Sequence, residues 1–199
     1  MTELLGSAGA AALVFAATNL DDIVVLTVLF VAARSTGRPR PWQIVAGQYL
    51  GIGALVAAGV VVAAGLLVVP DPWTGLLGLL PIALGVRALL SPTDDGPPAV
   101  VASTLGVAGV TVANGADNIA VYVPVFRSLD PATGLVFLLV FAALVGLWCG
   151  TAARLGGHPR VVRLVDRAGH RLVPLIFVGI GLVILVGSGV LTPLAGLLD

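Results

Sequence analysis

Three aspartates interrupt stretches otherwise built largely from alanine, valine and leucine: Asp21 and Asp22 in ATNLDDIVVL, and Asp117 in VANGADNIAVYVPVF. Amides accompany the third, as Asn114 and Asn118, and Thr18 precedes the first pair by one helical turn. On an unbroken helix Thr18 shares a face with Asp21 and Asp22, and Asn114 stands in the same relation to Asp117 and Asn118. A charged side chain at the centre of a membrane helix costs about 2.5–3.5 kcal/mol. Three such carboxylates facing lipid would cost on the order of 8–10 kcal/mol, so they must face protein, water or a bound ion. Two carboxylates balance a divalent cation, and amide and hydroxyl oxygens complete its shell. By ligand type such a set suits manganese, magnesium or calcium. Gln48, in GQYLG, is another amide inside an apolar stretch and closes the cage, while Tyr122, one turn beyond Asn118, supplies a hydroxyl or packs. The expected cation ligands are therefore Asp21, Asp117, Asn118, Asn114, Asp22, Thr18 and Gln48. Asp21 and Asp22 point about 100° apart on a helix, so one of them faces the site directly. Asp21, which aligns with Asp117, is that one, and Asn19 falls on another face. The competing use of these groups is as hydrogen-bonding glue between helices.

The elements that must position them are membrane helices. The chain has 199 residues, 58% hydrophobic and 10% charged, with a mean hydropathy of +1.11. A soluble domain is roughly a quarter charged, and here the deficit runs along the whole chain, so the fold class expected is an all-α integral membrane protein. A spanning helix needs about 20 apolar residues. Six segments qualify: Ala8–Ala33, Trp42–Val69, Trp73–Leu90, Val100–Phe126, Ala132–Ala153 and Leu172–Leu191. Their separators carry turn and charge signals: RSTGRPRP, PDP, SPTDDGPP, RSLDP and RLGGHPRVVRLVDRAGH. Gly115 and Pro124 are natural bending points in the fourth. MTELLGSAGAAALVF lacks a basic leader, so no cleavage is expected.

Several function classes drop out. The formal net charge of zero argues against a nucleic-acid partner. Cys149 is the sole cysteine, which excludes an internal disulfide or a paired-thiol relay, and it is expected to pack as a small hydrophobe. There is no GxxxxGK[ST] for ATP hydrolysis and no HExxH for a metalloprotease. The chain is therefore expected to be no enzyme and to hold no resident cofactor. His158 and His170 are expected at the surface rather than as metal ligands.

Orientation follows from arginine, because the ten basic residues include no lysine. Arg34, Arg38, Arg40, Arg87, Arg154, Arg160, Arg163, Arg167 and Arg171 fall on one side of the six expected spans and Arg127 on the other. The positive-inside rule then puts both termini outside the plasma (inner) membrane. A shift of 96 residues lays ATNLDDIVV on ANGADNIAV, Asp21 on Asp117 and Leu84-Gly85 on Ile180-Gly181. Two copies of a three-helix unit, residues 1–91 and 92–199, account for this. Three spans is an odd number, so the copies must be inverted, as in many secondary transporters with a site where the repeats meet.

These residues resemble the cadmium resistance transporter family, within the lysine-exporter superfamily, along nearly the whole chain. NGADNIAVYVPVF carries the resemblance most specifically, with ATNLDD, GQYLG and LGLLPIALG in matching order. The resemblance implies a plasma-membrane exporter of cadmium, with zinc or another divalent ion as a further cargo. By position it points to Asp117, Asn118, Asn114, Asp21 and Gln48. With no nucleotide motif, an ion gradient is the available energy source, so protons are the expected counter-ion and the lipid bilayer the surroundings. A homodimer is compatible with the pattern. The alternative function is export of amino acids or other small organic solutes. That would call for a buried cation to meet a carboxylate, and Arg87, at one end of the third segment, is the only candidate near a span.

Overall fold

The computed structural model describes residues 2–68, 71–90, 101–155 and 159–190, and every secondary-structure element among them is helical. The first expected span is two helices. α1 (Thr2–Asn19) ends at a two-residue turn, and α2 (Asp22–Thr36) continues at 64° to it. No proline or glycine lies at this break. It falls instead on Asn-Leu-Asp-Asp, where short polar side chains favour turns over helix interior, and Gly37, with φ +74°, terminates α2.

α3 (Pro41–Gly65) starts on a proline and continues through a 3₁₀ turn (Leu66–Val68). The expected third span is assembled from α4 (Asp71–Thr74), a 3₁₀ turn (Gly75–Gly78) and α5 (Leu79–Leu90). The fourth is again broken: α6 (Thr104–Asn114) and α7 (Ile119–Ser128) are separated by Gly115 and a 3₁₀ turn (Ala116–Asn118). Gly115 is closely packed, since a Cβ would lie 2.8 Å from Leu55 Cδ1 and Asn118 Nδ2, the ends of two side chains that would have to shift to admit it. Pro124, the other expected bending point, lies buried inside α7. α8 (Pro131–Leu155) and α9 (Pro159–Gly187) are the last of the described helices. Asp130 precedes α8 and accepts from the amides of Ala132 and Thr133 at 3.0 and 3.1 Å. Hydrogen bonds from the Thr133 side chain and backbone hold its carboxyl below the usual carboxylate range.

Pro41–Val68 and Pro131–Leu155 are long and apolar enough to cross a membrane unaided, and the bent pair Glu3–Asn19 and Asp22–Thr36 makes a third span if counted as one. The third, fourth and sixth expected spans contain shorter apolar helices, Gly75–Arg87, Thr104–Asn114 and Val173–Gly187. The breaks shorten the third and fourth, because a glycine-rich 3₁₀ turn or a crowded glycine replaces continuous α-helix. The boundary at 91–92, the segment ends Val69, Val100 and Leu191, and His158 lie outside the described residues. So do the side chains of His170, Arg160, Arg163, Arg167 and Arg171.

Packing pairs the elements crosswise. α1 and α2 lie against α8, α6 and α7 lie against α3, and α5 lies against α9. Small residues permit the second contact. A Cβ at Gly47 would sit 2.5 Å from Val107 Cβ, at Gly51 2.5 Å from Thr111 Cβ, and at Gly59 2.7 Å from Tyr122 Cβ. α5 and the turn before it meet α9 equally closely. A Cβ at Gly78 would lie 2.5 Å from Gly181 O, and one at Gly85 would lie 2.5 Å from Pro174 O. Between α1, α7 and α8 an aromatic cluster fills the interior. Phe15 meets Phe141 and Trp148 edge-on at 5.2 and 5.3 Å, and Tyr122 tilts against Phe141 at 5.6 Å.

Candidate functional site

Both helix breaks open onto one polar centre. At the first break Asp22 begins α2 and is 3% exposed, while Asp21, one residue earlier, sits at the exposed edge. Asn114, the last residue of α6, donates from Nδ2 to Asp21 Oδ2 at 2.9 Å and to Asp22 Oδ1 at 2.8 Å. From α3, Gln48 Nε2 donates to Asp22 Oδ2 at 2.5 Å. Gln48 Oε1 in turn accepts from Thr111 Oγ1 at 2.7 Å. Asp22 thus has a separate amide donor on each carboxylate oxygen, from two different helices.

The glycine stripe of α3 makes this reach possible. Gly47 and Gly51 flank Gln48 by one residue and by three, and they let α6 approach until Thr111 and Gln48 touch. Thr111 is 2% exposed and Gln48 also 2%, so an unmatched polar atom there would cost about 1–3 kcal/mol.

The unbroken-helix geometry needs correction. With the chain turning at Leu20 and Asp21, the two aspartates are no longer about 100° apart on one helix, and both address Asn114. Asp22, rather than Asp21, is the more fully enclosed of the pair. Thr18 does not join them on a common face. Its hydroxyl donates to Val14 O at 2.9 Å and lies 3.2 Å from Tyr122 Oη, in a second cluster at the end of α1. Asn114 likewise parts from its expected neighbours, since α6 ends there. Asn118 is buried behind Gly115, while Asp117 is exposed and within electrostatic reach of Asp21 and Asp22.

The structure therefore brings together Asp21, Asp22, Asn114 and Gln48, with Asp117 near them. Thr18 and Asn118 are held in adjoining surroundings. Among the described residues no group of three or more His, Cys, Asp and Glu stands in metal-holding array. Any cation here would draw on amide or hydroxyl oxygens as well as carboxylates.

Beyond the expected ligands, Thr111 joins this centre through Gln48, and Asn19 joins the second cluster with Thr18 and Tyr122. Thr111 lies one turn before Asn114, a spacing that places it on the same face of α6. Asn19, expected on another face, is wholly buried, and its Nδ2 lies 2.7 Å from Thr18 Oγ1 and 3.1 Å from Tyr122 Oη. Its backbone oxygen accepts from Trp148 Nε1 at 2.7 Å, which ties the first break to α8. Cys149, the next residue, is buried.

Apolar helices of spanning length around a buried carboxylate and its amide partners mark an integral membrane protein. The chain belongs to the cadmium resistance transporter family, whose model matches residues 15–196. No curated protein and no solved structure matches the chain.

Proposed function

We propose that the chain is a six-span secondary transporter that exports a divalent heavy-metal cation from the cytoplasm in exchange for protons, working as two inverted three-helix repeats. Family membership favours cadmium as the cargo, and zinc and manganese are ions that the oxygen donors also accommodate. The observation that carries the reading is the single amide nitrogen of Asn114 reaching both Asp21 and Asp22. Two carboxylates gathered on one donor repel each other, and either a divalent cation or protons relieve that repulsion. Each can therefore displace the other, which is the requirement for antiport. Asp21 and Asp117 line the exposed edge where an ion enters, and Asp22, Gln48 and Asn114 form the enclosed floor.

The crosswise packing supports the repeats. Under the shift of 96 residues the pairing of the first span with the fifth becomes that of the fourth with the second, and both pairings are found. The third and sixth exchange with each other. The close contact of Gly78 with Gly181 maps onto that of Pro174 with Gly85, and both occur. The two helix breaks also correspond, Leu20-Asp21 with Ala116-Asp117.

Transport into inverted membrane vesicles tests the reading. Asp22→Asn and Asp117→Asn should each abolish cadmium uptake while the protein is still inserted at the parent's level. Uptake at the parental rate in Asp22→Asn would sink the site. In the same vesicles an imposed pH gradient should drive cadmium inward. Metal flux that ignores the gradient and moves no counter-protons would rule out antiport.

A further inference from the structure

Both oxygens of Asp22, both ends of the Gln48 amide and the Thr111 hydroxyl are hydrogen-bonded, but one buried atom in the cluster at the end of α1 has no partner. Asn19 is 0% exposed at the last turn of α1, and its Oδ1 has no hydrogen-bond partner. The orientation of this amide follows from its surroundings. Phe15 O, 2.9 Å from Nδ2, can only accept, so the nitrogen must face it. Turning the amide over would set two carbonyl oxygens against each other and leave the NH₂ without that acceptor. Thr18 Oγ1 and Tyr122 Oη lie on the same nitrogen. Trp148 holds the backbone oxygen of the residue. Asn19 is thus clamped by its nitrogen and its main chain, with Oδ1 directed away from those partners.

The amide is not needed to make the break. Gly115 occupies the corresponding position in the second repeat, and that break forms with no side chain at all. α1 ends at Asn19, so the separation of helical faces between Asn19 and Asp21 does not carry across the break. Tyr122, which holds the amide nitrogen, is itself within electrostatic reach of Asp21 and Asp22.

We propose that Asn19 Oδ1 is a ligand of the transported divalent cation, a neutral oxygen donor added to the carboxylates at the first break. The proposal rests on the carrier reading above. A carboxamide oxygen enlarges the coordination shell without adding charge. It raises selectivity for ions that accept hard donors and still lets the ion leave.

The chain has three asparagines, Asn19, Asn114 and Asn118, so labelling their side-chain carbonyl carbons yields a readable spectrum. The full-length protein in lipid nanodiscs is titrated with cadmium and then with manganese, the signals being assigned with Asn114→Ser and Asn118→Ser. The Asn19 signal should move on metal addition together with that of Asn114. In parallel, Asn19→Leu should weaken manganese binding by about tenfold or more, on the scale seen when even an outer partner of a metal site is removed. It should weaken cadmium binding by a smaller factor, because cadmium depends less on hard oxygen donors. A stationary Asn19 signal while that of Asn114 moves overturns the proposal and leaves the carboxylate site standing. Equal losses for both metals in Asn19→Leu do the same, since a packing defect does not distinguish ions. If neither signal moves and no metal binds, the carrier reading falls with it. Should Asn19→Leu fail to fold, the labelled parent protein decides alone.

Discussion

Gln48 is held from both sides, since its nitrogen serves Asp22 and its oxygen takes the Thr111 hydroxyl. The amide cannot rotate without losing both bonds, so Thr111 fixes which end of Gln48 meets the carboxylate. Thr111→Val keeps the shape and removes the donor. The buried Gln48 oxygen would then be unpartnered, and the variant should lose about 1–3 kcal/mol of stability, read as a lower melting temperature in detergent. Cadmium transport should fall but not vanish, because Asn114 still donates to Asp22; a variant as stable as the parent would show that Thr111 does not orient Gln48. The polar residues of this site are legible in the sequence because lipid makes each of them expensive. Asp21, Asp22, Asn114 and Gln48 stand out for that reason, whereas Thr111 reads as an ordinary threonine among valines. Only the bond across helices identifies it.

At the level of elements, α3 works as a smooth rail for α6 and α7. Gly51 faces Thr111 so closely that a Cβ would lie 2.5 Å from Thr111 Cβ, while a Cβ at Gly53 would meet nothing within 4 Å. Gly51→Ala should therefore push α6 outward, at an overpacking cost of about 1–3 kcal/mol, and impair export through the Gln48–Thr111 contact. Gly53→Ala should be neutral or slightly stabilising, since alanine favours helix over glycine. Melting temperatures of the two variants side by side check the claim, and an equal drop in both would refute it. GQYLG marks this contact in the sequence through its spacing of small residues. The first helix break is harder to read, because Asn-Leu-Asp-Asp contains neither proline nor glycine and the apolar run continues on both sides. A reading that carries the helix through places Asn19 and Thr18 on the wrong faces. The second break is easier to anticipate, since Gly115 announces it.

For the whole molecule, the packing sorts the connections into two ends. The Arg34 guanidinium donates to Ala153 O, so the end of α2 and the end of α8 lie together. Arg127 Nε donates to Leu66 O at 3.4 Å, which joins the end of α7 to the end of α3. A cleft of about 600 Å³ among these two ends and the start of α8 is lined by Ala63, Leu67, Phe126, Arg127, Asp130 and Leu135, among others. On the proposed topology the first end faces the cytoplasm and the second faces outward, as the distribution of arginine requires. Cys149 is the only cysteine, so a Cys149→Ala background allows single reporters to be placed at each end. Ser35 and Ser128 are both exposed, one beside Arg34 and one beside Arg127. In intact cells a membrane-impermeant maleimide should label Ser128→Cys and should reach Ser35→Cys only after permeabilisation. The reverse pattern would invert the orientation while keeping the repeats. Labelling of both positions from the same side would be incompatible with six spans, because it would leave an even number of crossings between residues that the proposed topology separates by three.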